Sequence, residues 1–258
     1  MNSFVVEAQE GATRERPPVM AVRHGRGRTG GSTFADYLIQ RARHAGRPIL
    51  IGDGDRRNAT LASLYPPSEK GGASQPETDE TPDVKDWIGR LVGQMVEART
   101  SLILDLGAGD QVLAEFGREL ALPDFCESVG VLSLSIYMIG PDLEDFEHVL
   151  KIAKAGVFES KQSLLVMNES LVRTGKTPAK AFDHILKHPE VENLIAEDLR
   201  ILMMPRILYL DQVRKTGLNF FDAAAGARGK DADYERSRPP KRDDAAHRNG
   251  MTPPVITR

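Results

Sequence analysis

Apolar residues along this chain fall into two alternating rhythms. Short, nearly continuous apolar runs predict strands at Val19–Arg23, Pro48–Gly52 (PILIG), Ser101–Leu106 (SLILDL), Val129–Ile136 (VGVLSLSI), Ser163–Met167 (SLLVM) and Arg200–Met204 (RILMM). Between them the spacing becomes helical. Ser32–Ala45 gathers Phe34, Leu38, Ile39 and Ala42 on one face, and Asp83–Arg99 gathers Trp87, Ile88, Leu91, Val92, Met95 and Val96. Further helices are expected at Asp110–Leu120, at Pro141–Ala155 with proline near its start, at Pro178–Glu197 and at Ile207–Ala225. Strands that are apolar throughout and separated by helices imply an α/β fold: a doubly wound, mostly parallel sheet with helices on both faces. Ligands of such sheets bind beyond the carboxyl ends of the strands. That directs attention to the residues just after each apolar run.

Composition marks the edges of this pattern. Residues 1–18 are polar and end in Pro17-Pro18, residues 66–82 (PPSEKGGASQPETDETP) are nearly devoid of apolar side chains, and residues 226–258 are charged and contain proline. Such stretches bury too little apolar area to offset chain entropy. They are expected to be a disordered extension, a flexible insertion and a disordered tail around a single domain at 19–225. The tail has eight Lys/Arg against five Asp/Glu, which suits a solvated segment and, as the lesser alternative, weak contact with DNA or an acidic partner. A net charge of −3 over 258 residues gives the whole molecule no marked pull on polyanions. Cys126 is the single cysteine, so no internal disulfide can form and a cytoplasmic setting is expected. No run reaches the roughly 20 apolar residues of a membrane helix, and the start of the chain is expected not to be a signal peptide.

Three polar clusters follow strands. After the first, residues 25–33 read Gly25-Arg26-Gly27-Arg28-Thr29-Gly30-Gly31-Ser32-Thr33. A phosphate loop has Gly, four residues, Gly, Lys, then Ser or Thr, because glycines let consecutive N–H groups turn toward an anion at the start of a helix. Gly25 and Gly30 have that spacing and Ser32 stands where a magnesium-binding hydroxyl belongs, but Gly31 occupies the lysine position. The missing charge-assisted hydrogen bond is worth roughly 1.5–3 kcal/mol. The alternative is an ordinary glycine-rich turn. After the second strand come Asp53 and Asp55, placed to orient a water or a metal-bound water, or to serve as loop caps with Asn58 and Thr60. After the third, Asp105 is followed by Gly107 and Gly109, the presentation of a Walker B aspartate and equally of a turn residue.

Taken together, these residues resemble the ParA/MinD/Mrp superfamily of deviant Walker ATPases, whose loop reads Lys-Gly-Gly-x-Gly-Lys-Ser/Thr-Thr. Residues 26–33 read Arg-Gly-Arg-Thr-Gly-Gly-Ser-Thr, so Arg26 and Gly31 stand where the family has lysines. Asp53-Gly-Asp55-Arg-Arg-Asn58-Ala-Thr60 is similar to the family's run after the second strand, and Asp105 to its switch aspartate. Leu164-Leu-Val-Met-Asn168 is similar to the strand that ends in an adenine-contacting Asn, and Ile201-Leu-Met-Met-Pro205 to the strand that ends near proline. The run after Asp53 and the Asp-x-Gly-Ala motif look most like plasmid-encoded TraL/StbB-type members.

The resemblance implies ATP or ADP bound with Mg2+. Gly27, Arg28, Thr29, Gly30, Gly31, Ser32, Thr33, Asn168 and Pro205 would contact nucleotide, Ser32 and Asp105 the metal, and Asp55 with Asp53 the attacking water. It also implies a homodimer governed by nucleotide, with a protein partner in plasmid partition, conjugative transfer or positioning. The two lost lysines make hydrolysis weak or absent. A pseudo-ATPase that serves as an interaction module is the second reading, and an ATP-dependent ligase or amidotransferase-like synthetase a distant third. The histidines, His24 included, lack metal-ligand spacing and are expected to be structural or surface residues. Cys126 is expected to be a buried apolar residue, and Met167, Met203 and Met204 core. Phe220 and Phe221 would pack on the sheet or form part of a partner surface.

Overall fold

The computed structural model describes residues 16–107, 110–119 and 121–226. The segments 1–15 and 227–258, which hold most of the expected extension and tail, lie outside them. The chain divides into two units, Met1–Ile207 and Leu208–Arg258. In the first unit seven strands form one parallel sheet: β1 (Val19–His24), β2 (Ile49–Asp53), β3 (Ala73–Ser74), β4 (Ser101–Asp105), β5 (Leu132–Ile139), β6 (Gln162–Asn168) and β7 (Leu199–Met204). Their spatial order is β3-β2-β4-β1-β5-β6-β7, with every pairing parallel. The strand reversal on either side of β1 is the topological switch point at which such sheets hold ligands.

Alternation along the strands divides the core in two. Ala21, Ile51, Ile103, Ile136, Met138 and Val166 point to one face and pack with Phe34, Ala35 and Ile39 of α1 (Gly31–His44) and with Leu61 and Ala62 of α2 (Thr60–Leu64). Met20, Val22, Leu102, Leu104, Tyr137, Ile139, Leu165 and Met167 point to the other face. There they meet α3 (Thr81–Glu97) through Trp87, Ile88 and Leu91, α5 (Leu122–Ser128) through Leu122 and Cys126, and α6 (Leu143–Lys154) through Phe146. α7 (Pro178–Leu186) and α8 (Pro189–Ala196) complete that layer through Phe182 and Val191. α4 (Asp110–Glu119) precedes α5, and Leu113 of α4 belongs to the same cluster. The expected doubly wound α/β architecture is the one observed.

The differences are local and have physical causes. α2 and α5, at five and seven residues, are too short for a periodicity to register. The strand expected at Val129–Ile136 runs instead over Leu132–Ile139, because Val129 ends α5 and Gly130 turns the chain with φ +72°. The expected single helix Ile207–Ala225 is two, α9 (Leu210–Lys215) and α10 (Phe220–Ala224), both in the second unit. They part around Gly217 at φ +66°, and Asn219 caps the second through a hydrogen bond to its Oδ1 from the Asp222 N–H. Phe220 and Phe221 open α10. Met203 is not core: β7 is an edge strand, and Leu202 and Met203 are 43% and 39% exposed.

The 66–82 segment contains β3, which pairs Ala73 and Ser74 with Ile51 and Gly52. Ala73 and Pro76 are its buried side chains, and besides that pairing it is held by hydrogen bonds from Trp87 Nε1 to Ser74 Oγ, 2.9 Å, from Arg43 to the Gly71 carbonyl and from Arg56 to the Pro76 and Glu77 carbonyls. Ser74→Ala removes the bond from Trp87 without opening the core around that ring, at a cost of about 1 kcal/mol. The expected outcome is faster proteolysis and amide exchange confined to residues 66–80, with exchange in β1 and β4 unchanged.

Candidate functional site

The site is assembled by register. Arg23 at the end of β1 stands beside Asp105 at the end of β4, and Asp105 stands beside Asp53 at the end of β2. Counting by twos from Ala21, Ile103 and Ile51 puts all three side chains on the α1 face, at the carboxyl edge of three neighbouring strands. Asn168 ends β6 on the same face, two residues beyond Val166. Every one of them is almost wholly buried. The row therefore lies beneath the loop that joins β1 to α1.

That loop has the build of an anion site. Gly25, Arg28 and Gly30 have φ of +136°, +69° and +89°, with Thr29 between two of them at negative φ. Alternation of this kind turns successive N–H groups to one side. α1 then begins at Gly31 behind an N-cap, Gly30, that has no side chain to occupy the first N–H groups, and its first turn holds no acid. The positive end of the helix is left for an anion. Gly27 and Arg28 are exposed, while Ser32 and Thr33 are half-buried on the first turn. Thr29 is 2% exposed and donates from Oγ1 to the Arg26 carbonyl at 2.8 Å, closing the loop on itself.

Beneath it, Arg23 is fully engaged. Its Nε and Nη2 both donate to Asp105 Oδ1, at 2.9 and 2.5 Å, and its Nη1 donates to the Gly25 carbonyl at 3.1 Å. The guanidinium fills the space next to Gly31. A Cβ on Gly31 would lie 2.6 Å from Arg23 Cδ and 2.9 Å from Cζ, and closer still to Nε. The lysine missing from the loop and the arginine present in the strand are thus two sides of one arrangement. Arg23 is the residue that sequence reasoning missed. Its signal was a charged residue in an apolar run two positions before a loop that lacks its own cation.

The other expected site residues divide. Asn168 Nδ2 donates to the Thr29 carbonyl at 2.9 Å and its Oδ1 accepts from the Ser170 N–H at 2.9 Å, so it braces the loop from below. A Cβ on Gly30 would collide with that Nδ2, which explains glycine there independently of its φ. Asp53 Oδ2 accepts from the Ala62 N–H at 2.8 Å and Oδ1 from the Asp55 N–H at 3.2 Å, which ties β2 to α2. Asp55 is half-buried, accepts from the Asn58 N–H at 3.0 Å, and lines a cavity of about 230 Å3 with Arg56, Arg57, Asp79 and Leu106. Pro205 is exposed just past β7. Arg26 reaches sideways to Glu144 at 3.0 Å and Asp145 at 3.4 Å, in the first turn of α6.

Electrostatics follow from this layout. Burial, offset in part by the Ala62 N–H and reinforced by repulsion from Asp105, pushes the Asp53 carboxyl up to about 6. The Cys126 thiol is pushed up to about 11 by burial, in contact with Met20 Sδ at 3.7 Å, as expected of an inert core residue. His24 is buried and stacks on Tyr137 with ring centroids 5.4 Å apart. Among the described residues no group of three or more His, Cys, Asp or Glu is arranged to hold a metal ion, and no helix is long and apolar enough to cross a membrane. A magnesium ion accompanying a nucleotide would find the Ser32 hydroxyl at the start of α1. At Asp105 it would meet a carboxylate whose charge is already balanced by the Arg23 guanidinium on Oδ1, so the donor set fits the ion better on the Ser32 side.

The sheet order, the loop and the helix behind it make this an α/β fold of the P-loop NTPase-like type. No family model matches the chain, and no curated protein does. Among solved structures, the cell division protein FtsY from Thermotoga maritima is similar at 15% identity and a TM-score of 0.49, over 74% of this chain and 64% of that one. Chloroplast FtsY from Physcomitrella patens is similar at 14% identity and a TM-score of 0.46, over 76% and 60%. A nucleotide-binding protein in complex with ADP from Archaeoglobus fulgidus is similar at 15% identity and a TM-score of 0.44, over 77% and 86%. The chain thus spans less than two thirds of either FtsY. Likeness at this level says nothing of activity.

Asp53 yields a pH test. Its folded value lies above the ordinary 3.8, so its contribution to stability is full below about pH 4 and is lost as pH rises through about 6. Asp53→Asn removes the titration. The stability of the variant relative to the parent should rise between pH 4 and pH 7 by roughly 2–3 kcal/mol, measured by urea denaturation. A difference independent of pH would refute the buried, repelled carboxyl.

Proposed function

We propose that this chain is a nucleotide-binding protein of ParA/MinD-like kind that binds a nucleoside di- or triphosphate at residues 25–33 and works through association rather than turnover. The observation that carries the reading is the β1–α1 loop: φ signs alternate from Arg28 to Gly31, and it opens on a helix N-terminus that has neither a side-chain cap nor an acid in its first turn. Backbone N–H groups of Gly27 to Gly31, with the hydroxyls of Ser32 and Thr33, would hold the phosphates. Asp55, half-buried at the rim of a cavity, is the acid best placed to meet water, whereas both Asp53 oxygens are taken by backbone N–H groups. Asn168 would influence nucleotide through the loop it braces.

Weak or absent hydrolysis is favoured by the same geometry. The loop supplies no lysine to the transferred phosphate, and transition-state charge of that kind is normally met by preorganised cations. A pseudo-ATPase serving as an interaction module is the second reading, favoured by the full engagement of Arg23 with Asp105 and Gly25. A role in plasmid partition, conjugative transfer or positioning rests on the resemblance of the Asp53–Thr60 run, and a nucleotide-dependent homodimer goes with it.

Calorimetric titration with ATP and ADP, run beside a phosphate-release assay and light scattering, tests this. The expected outcome is saturable binding, phosphate release near the uncatalysed background, and a shift toward dimer on addition of nucleotide. No binding of either nucleotide at millimolar concentration would overturn the proposal. Sustained turnover would overturn the part that denies hydrolysis.

A further inference from the structure

We infer that Arg23 is the resident cation of this site, standing in both for the missing loop lysine and for a divalent ion at Asp105, so that magnesium, left with Ser32 alone, adds little to nucleotide affinity. The inference rests on the phosphate-loop reading for its ligand, but its structural half does not. Three observations converge on it. Arg23 and Asp105 are register partners at the centre of the sheet, 6% and 2% exposed, joined by two hydrogen bonds to one carboxylate oxygen. The third nitrogen of the guanidinium holds the Gly25 carbonyl, at the mouth of the loop. The space in which a side chain at position 31 would begin is filled by Arg23 itself.

Gly31 sharpens the point. It is the first residue of α1 and has no positive φ, so its backbone gives glycine no advantage over alanine. Backbone freedom does not call for glycine there; the guanidinium does. A lysine at 31 and an arginine at 23 would compete for one volume and for one carboxylate. With Arg23 in place, Asp105 is neutralised by a cation that the protein carries permanently, and a divalent ion approaching it would meet like charge. Arg23 is therefore a positioning residue. It fixes the loop through Gly25 and sets the charge beneath the phosphates, without an exposed face of its own.

The test is a two-residue exchange on the full chain. Arg23→Ala leaves Asp105 buried and unpaired, and Gly31→Lys drives Arg23 from its place; each should lower the melting temperature by roughly 5–10 °C. The double variant gives the introduced lysine the vacated space and the carboxylate, and should recover at least half of the combined loss. A double variant whose loss equals the sum of the singles would overturn the exchange. If Gly31→Lys does not fold, Gly31→Ala serves: a lowered melting temperature supports the inference, and an unchanged or raised one overturns it.

The nucleotide half is read by titrating ATP with magnesium and with EDTA. The parent's affinity should change less than threefold, whereas Arg23→Ala, with Asp105 released, should gain at least fivefold on adding magnesium. A tenfold loss in the parent on chelation would overturn this half. No nucleotide binding under either condition would sink the proposed function and with it this half, while the thermal exchange would still decide whether Arg23 has taken the place of the lysine.

Discussion

The arrangement at the carboxyl edge depends on one buried ion pair, Arg23 with Asp105, set between two adjacent strands in the middle of the sheet. Taking both charges out of water costs several kcal/mol each, recovered only where geometry is good and the remaining donors are satisfied. Here the pair sits in register, and the spare nitrogen finds a loop carbonyl. Removing one partner from such a pair typically costs about 3–5 kcal/mol. The anchoring of the loop above and the glycine at 31 both follow from where that guanidinium lies.

Two consequences spread outward from the pair. On one side, Asp53 shares the edge with Asp105 and holds its proton more tightly than a free carboxyl, because burial and repulsion outweigh the hydrogen bonds its oxygens accept from the Ala62 and Asp55 N–H groups. On the other side, Asn168 takes hold of the Thr29 carbonyl, so the loop is anchored at Gly25 by Arg23 and at Thr29 by Asn168. Between these anchors lie Arg26, Gly27 and Arg28. Arg26 is drawn to the acids of α6, and the other two are exposed. A loop pinned at both ends from within is preorganised, which lowers the entropy that an anion must overcome to bind it.

Much of this was legible in the order of residues. Apolar runs such as PILIG and SLILDL could be strands only if buried on both faces, and the helical spacing of α1 and α3 left one architecture. Gly25, Asp53, Asp105 and Asn168 could be placed at strand ends from the same pattern. What periodicity could not convey was which residue touches which. That Asp105 pairs with Arg23, and Asn168 with the Thr29 carbonyl, emerges only once register and pleat bring them together. Met203 had the composition of core but stands on an edge strand, and strand order is not written in a strand's own residues. The break at Gly217 was visible as a letter, yet a helix interior tolerates one glycine at about 1 kcal/mol, too little to decide the matter from sequence.

The central claim is that a guanidinium, held by Asp105 beneath the loop, is the cation of this site. It is tested most directly by the Nε–H of Arg23, observed by 15N-resolved NMR at neutral pH in the parent and in Asp105→Asn. The account predicts a slowly exchanging Arg23 Nε–H signal in the parent, unchanged by magnesium or by chelation, that is shifted and exchanges faster in the variant. A signal in the parent that exchanges as fast as those of surface arginines, or that moves on adding magnesium alone, would contradict it.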